Sequence, residues 1–372
     1  MISRSTTTLR YRASPLARLA LLAYVFLIVY ASWYPFANWR SLGLSPLDYL
    51  SAPLPRYWTL FDVAINVVGY APFGLLVVFA LHPLIRGVWA ALLAILSGIL
   101  LAGTMEAVQT FLPSRVPSNL DFITNVSGSA LGALAGVLLV HALLERSRLR
   151  LLQRRWFLRK SSAALIVLAL WPLAQIYPQG YLFGHGQITP ILSDWLSSLL
   201  SMPVDLAAML RHAPLLSAEQ YWLSETIITA CGMCGALLSM LCLLRSNAPK
   251  VALSIVLVAA TLLSKTLASA LLFGPENAFS WYTPGAESGL VMGALMLSGM
   301  VFTRPPIQRR LAVLMLLLSL LAVNSVPANP YFVATLQTWV QGKFLNFNGA
   351  AQFLSLAWPF VTLWFLLHSR NT

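Results

Sequence analysis

Residues 88–112 read VWAALLAILSGILLAGTMEAVQTFL, an apolar run whose one ionisable side chain is Glu106. Wound as a helix at about 1.5 Å per residue, such a run is longer than the roughly 30 Å of a bilayer's hydrocarbon core. In that solvent every backbone N–H and C=O must be paired within the protein, which for a long apolar run means a helix. Similar runs recur at 16–36, 61–81, 120–142, 161–178, 222–244, 251–273, 287–303, 311–327 and 350–368. The composition agrees: 372 residues are 58% hydrophobic and 9% charged, with a mean hydropathy of +0.75. A soluble domain carries roughly 25% charged residues. The sequence therefore predicts an all-α, polytopic integral membrane helical bundle of about ten transmembrane helices.

Charge gives the orientation. An even number of spans puts both termini on one side. With the ten runs as spans, 18 of the 24 Lys and Arg residues fall on the side of the termini, 5 on the other, and Lys265 inside a span. The side richer in Lys and Arg is the cytoplasmic one. Both termini are accordingly expected in the cytoplasm and the chain in a bacterial cytoplasmic (inner) membrane. Ten of the 11 acidic residues fall in outer loops or outer span ends, Glu145 being the exception. That second asymmetry is not needed for insertion and directs the chemistry outward.

The stretch 145–160 (ERSRLRLLQRRWFLRK) divides the chain into a four-span domain, 1–144, a basic cytoplasmic linker, 145–160, and a six-span domain, 161–372. Next to a membrane, its arginines are read as contacts with anionic lipid and not with nucleic acid. In the outer segment 179–221, apolar positions 191, 192, 195, 196, 199 and 200 share one helical face, with Thr189 as a cap and Pro190 in the first turn. This predicts an amphipathic helix on the outer leaflet. Lys265 is expected to snorkel toward Glu225 or Glu287. Cys231 and Cys234 have half the spacing of a zinc site with no second pair, and the five histidines do not cluster, so core packing is expected, with no metal and no cofactor.

Ionisable groups inside a membrane are costly and mark function. Three runs carry a carboxylate and an amide one turn apart near their outer ends: Asp62 with Asn66, Glu106 with Gln109, and Asp121 with Asn125. Antiparallel helices bring all six to a similar depth, and the short connection 113–119 hangs Arg115 over them. Gly128, Gly132 and Gly136 form a stripe that permits close helix packing, while Pro72 frees the Val68 carbonyl.

These residues, with the Pro72-Phe73-Gly74 step, resemble the VanZ-like membrane family over residues 16–142, about a third of the chain. The resemblance implies a cell-envelope protein, in a family named after a member linked to teicoplanin resistance. It implies Asp62, Asn66, Glu106, Gln109, Arg115, Asp121 and Asn125 as ligand-binding residues, with Glu106 the catalytic candidate if a reaction is run. Three functions stay open at this point. One is a protein that binds or handles an envelope lipid or glycopeptide-type ligand at the outer face, with a role in antibiotic resistance or envelope biogenesis. Another is an intramembrane enzyme acting on a lipid-linked phosphate or sugar, which would need a divalent metal between its carboxylates and a phosphate. The third is a proton-coupled transporter using Glu106 and Lys265. The expected partners are membrane lipids and a lipid-linked envelope precursor, with no nucleic acid.

Overall fold

The computed structural model describes residues 14–34, 36–41, 43, 45–140, 155–158, 162–211, 216–327 and 345–368. Arg4, Arg10, Arg12, Lys343, Arg370 and most of the basic linker 145–160 lie outside the described residues. The architecture is all-helical, as the apolar runs require, and the chain divides into two compact units at Leu151/Leu152.

The first unit contains α1 (Pro15–Trp33), α2 (Leu60–Leu81), α3 (Gly87–Gln109) and α4 (Asn119–Val140). Starts are set by local chemistry. Ser14 caps α1 ahead of Pro15. Thr59 and Asp62 form a reciprocal capping box on α2 that satisfies two backbone donors left over at the first turn. The centre of the unit is the α2–α4 pair. A Cβ placed on Gly132 would come within 1.8 Å of the Ala71 carbonyl oxygen, and one on Gly128 within 2.3 Å of that of Val67. Gly74 makes the reverse approach, 1.9 Å from the Ser129 carbonyl oxygen. Lipid gives helices no hydrophobic drive to associate, so backbone proximity and dispersion hold the pair together. By contrast α1 buries only Ala17 and Ile28. It is pinned by polar contacts: Arg18 Nε donates to the Ala80 carbonyl and Tyr24 Oη to that of Gly69, at 3.4 and 2.6 Å.

The second unit contains α5 (Ser162–Ala174), α6 (Thr189–Leu200), α7 (Leu206–Arg211), α8 (Ala218–Leu241), α9 (Lys250–Phe273), α10 (Pro284–Met300), α11 (Pro305–Ser325) and α12 (Leu345–His368). At its centre is α8, buried almost all round from Glu225 to Leu241 and packed by α10 and α11. Its small residues allow this: a Cβ on Gly289 of α10 would stand 2.5 Å from the Thr229 side chain. Cys231, Cys234 and Cys242 are free buried thiols of this core. The described part of the linker, 155–158, pairs with residues 243–245, Arg245 N donating to the Trp156 carbonyl at 2.7 Å.

Each of the ten apolar runs is a helix. Eight of those described are long and apolar enough to cross a membrane. The other two are α5, with 13 residues, and α10, with 17. At about 1.5 Å per residue α5 reaches roughly 20 Å, short of a bilayer core. Pro172 lies in its last turn, and the chain runs on without helix through residues 175–188.

The amphipathic segment 189–200 is helix α6, with two differences from expectation. Thr189 lies within the helix and does not cap it; its hydroxyl bonds Asn324 on α11 instead. The polar edge is the inner one: Thr189 and Ser193 are buried, while Ile191, Leu192, Trp195, Leu199 and Leu200 are exposed. An outward apolar face is what a helix resting on lipid presents. Lys265 also differs: it is 4% exposed and makes no ion pair with Glu225 or Glu287.

Candidate functional site

The carboxylates of the first unit meet where the outer ends of α2, α3 and α4 converge, and they have different surroundings. Asp62 is half-buried and turned back on its own helix start, its Oδ2 accepting from Thr59 N and Thr59 Oγ1 at 2.9 and 2.8 Å. Asp121 faces the neighbouring helix: Asn66 Nδ2 donates to Asp121 Oδ1 at 2.8 Å, joining α2 to α4. Ser118, and not Asp121, caps α4, its Oγ accepting from Asp121 N at 3.3 Å.

Glu106 is the deepest of the three, at 2% exposure. Among the described residues it accepts one hydrogen bond, from Ser118 N at 2.9 Å. A carboxylate has roughly four lone-pair sites, so most of its accepting capacity is not used by the protein. The Tyr70 phenol, Glu106 and Asp121 lie within electrostatic reach of one another. Tyr70 Oη is turned toward Ser32 but completes no hydrogen bond. On α4, Asn125 Oδ1 and Ser129 Oγ are buried and likewise unpartnered. Native interiors leave few such atoms, so this concentration marks a polar interior that the protein does not itself fill.

Gln109 and Arg115, from the end of α3 and the loop after it, close the side toward α1. Gln109 Nε2 donates to the Ser32 carbonyl at 3.0 Å. Arg115 donates from Nε and Nη2 to the Tyr34 carbonyl, at 3.1 and 2.6 Å, and from Nη2 to that of Ala31 at 3.3 Å. The guanidinium thus sits on the free carbonyls that end α1, where the helix dipole favours a cation. It forms no ion pair with Glu106 or Asp121, and its Nη1 has no hydrogen bond among the described residues.

An outer segment covers the site. The Tyr49 ring packs edge-on to Phe122 with centroids 5.9 Å apart, and its hydroxyl donates to the Gly103 carbonyl at 3.3 Å. Burial raises the Tyr49 phenol above its ordinary value, and the nearby Glu106 charge adds to the shift. Arg40 N donates to the Phe111 carbonyl, and Asn119 Nδ2 to that of Ala52, tying this cover to the ends of α3 and α4. Among the described residues no three carboxylate, imidazole or thiol groups gather as a metal cage would need.

Of the seven residues read from sequence, Asn66, Glu106, Asp121 and Asn125 line the interior, and Gln109 and Arg115 bind α1. Asp62 serves the start of α2. Tyr70, Ser118 and Ser129 are additions. Two of them carried a signal, since Tyr70 stands one turn beyond Asn66 and Ser129 one turn beyond Asn125.

No curated protein and no solved structure matches the chain. A family model described as VanZ/LLP1 matches residues 18–141, the span that holds α1 to α4 and every residue of this site. The first unit of this polytopic membrane protein is a VanZ-like domain.

Proposed function

We propose that the VanZ-like unit binds the polar head of an envelope lipid or glycopeptide-type ligand from the outer face of the bacterial cytoplasmic membrane. The observation that carries this is Glu106: a carboxylate at 2% exposure with one protein donor, beside an unpartnered Asn125 Oδ1. Glu106, Asp121 and Asn125 offer acceptors, so they suit a head rich in O–H or N–H donors, such as sugar hydroxyls or amines. A bare phosphate against two carboxylates would be repelled. An anionic part of the ligand is left to Arg115 Nη1, whose fork geometry suits carboxylate or phosphate.

The test is the lipid that stays with the purified full chain, read by native mass spectrometry. Wild type is expected to retain species with hydroxyl- or amine-bearing heads. Asn125→Leu removes the unpartnered acceptor and should lose most of them, with thermal stability equal or higher because a buried polar atom is gone. Arg115→Lys cannot span two carbonyls and should reduce retention as well. Unchanged retention in Asn125→Leu overturns the reading.

The orientation is open to a separate measurement. Single cysteines at Ser51, Ser198 and Ser246, all exposed positions, are labelled in intact cells with a membrane-impermeant maleimide. With α1 entering from the cytoplasm and α5 carrying the chain across, Ser51→Cys and Ser198→Cys react, and Ser246→Cys reacts only after permeabilisation. Labelling of Ser246→Cys in intact cells would reverse this half of the chain.

A further inference from the structure

The second unit has a polar interior of its own. After α5 stops at Ala174 the chain continues without helix, and Tyr181 to Gly186 are all buried. Irregular backbone inside a helical membrane unit persists where protein groups satisfy it, and often where it borders a binding site. Here Gly186 N donates to the Ser355 carbonyl, and Thr229 Oγ1 to that of Leu182. Asn324 takes the N–H groups of Ile188 and Thr189 and gives its own to the Gly186 carbonyl.

This segment carries His185, 3% exposed, against the side chains of Gln175, Gln179 and Ser355. A neutral imidazole has one N–H and one bare nitrogen, so the two amides face it with opposite ends and not all of their polar atoms are used. Lys265 on α9 lies within electrostatic reach of the ring. Burial, with that charge adding to it, pushes His185 down to about 3, so the ring is neutral. No carboxylate acts on it among the described residues. The glutamates once expected to hold Lys265 are turned elsewhere, Glu225 to Thr283 and Glu287 to Tyr282.

Lys265 therefore has no hydrogen bond or ion pair among the described residues, at 4% exposure. An uncompensated buried ammonium is costly, and an anion brought to it recovers much of that cost. The surrounding donors, amide N–H groups and an imidazole, suit phosphate oxygens. Lys265 lies eight residues before the end of α9 at Phe273, which is about 12 Å along the helix. We infer that the second unit holds a binding site for a phosphate-bearing group, with Lys265 as its charge partner and Gln175, Gln179 and His185 as its neutral walls. The phosphate can belong to a lipid head or be free in solution.

The full chain in nanodiscs of phosphatidylcholine provides the test, with thermal unfolding as the readout. Inorganic phosphate is added in one arm, and phosphatidylglycerol replaces part of the lipid in the other. The midpoint is expected to rise by at least about 3 °C in one arm, which identifies the source. Lys265→Met should start at an equal or higher midpoint, having no ammonium to bury, and should lose the response. Lys265→Gln, which keeps a polar head, should lose it too. No rise for wild type in either arm overturns the inference, as does a rise of the same size in both variants.

Discussion

Glu106→Gln is expected to lower retention of the head group by roughly tenfold to a hundredfold while the protein inserts and accumulates normally. Glutamine keeps the volume and one carbonyl oxygen, so the hydrogen bond from Ser118 N survives. The charge is lost, and hydrogen bonds to charged groups contribute about 1.5–3 kcal/mol each, which sets that range. Stability should hold or rise, because a group at 2% exposure no longer carries a charge that wants solvent. Retention and thermal midpoint are measured on the same preparation. Wild-type retention in Glu106→Gln would show that the carboxylate's charge is unused and would remove Glu106 from the site. A fall in midpoint with the loss would make it a structural latch for the loop ending at Ser118.

Gly132→Ala should be the most damaging single-methyl change in the first unit. Its Cβ would meet the Ala71 carbonyl oxygen at 1.8 Å and other Ala71 backbone atoms within 2.9 Å, none of which can rotate away. Carbon and oxygen in ordinary contact stand about 3.5 Å apart, so α4 must withdraw from α2 along its length. The loss is expected to be at least 3 kcal/mol, enough to shift much of the protein to an aggregated fraction. Gly69→Ala is the matched control, because nothing lies within 4 Å of a Cβ there. It should be neutral or slightly stabilising, since alanine gives up less backbone entropy in a helix than glycine does. Size-exclusion profiles and thermal unfolding in detergent decide the matter. Equal midpoints for the two variants would mean that α2 and α4 do not approach as described.

What could be read in the sequence follows the kind of partner each residue has. The Gly128, Gly132 and Gly136 stripe was legible because small residues at helical spacing have one common use in lipid. The Asn66–Asp121 pair was legible because each end is a polar side chain at matching depth. Glu106 could be placed, but its partner could not: Ser118 receives it through backbone N–H, which every residue but proline has. Arg115 was similar, since the acceptors that hold it are the carbonyls of Ala31 and Tyr34, and no side chain announces them. The spacing from Thr59 to Asp62 is that of a capping box, which gave Asp62 a local use. The halt of α5 at Ala174 was harder, because residues 175–188 are held by groups on α8, α11 and α12 far along the chain. Hydropathy measures whether a run can live in lipid and carries no information on whether it stays helical there.

The pinning of α1 bears on how the protein is made. This helix buries two side chains, and what fastens it comes from residues 45 to 84 positions later in the chain. Tyr24 waits for the Gly69 carbonyl, Arg18 for that of Ala80, and the end at Ala31 and Tyr34 for Arg115. During synthesis α1 enters the bilayer well before any of these groups has left the ribosome. It therefore crosses as a lone anchor and docks only after α3 and the loop behind it have followed. Nascent chains arrested before Arg115 emerges should yield α1 to crosslinking by lipid, and longer ones to crosslinking by α3.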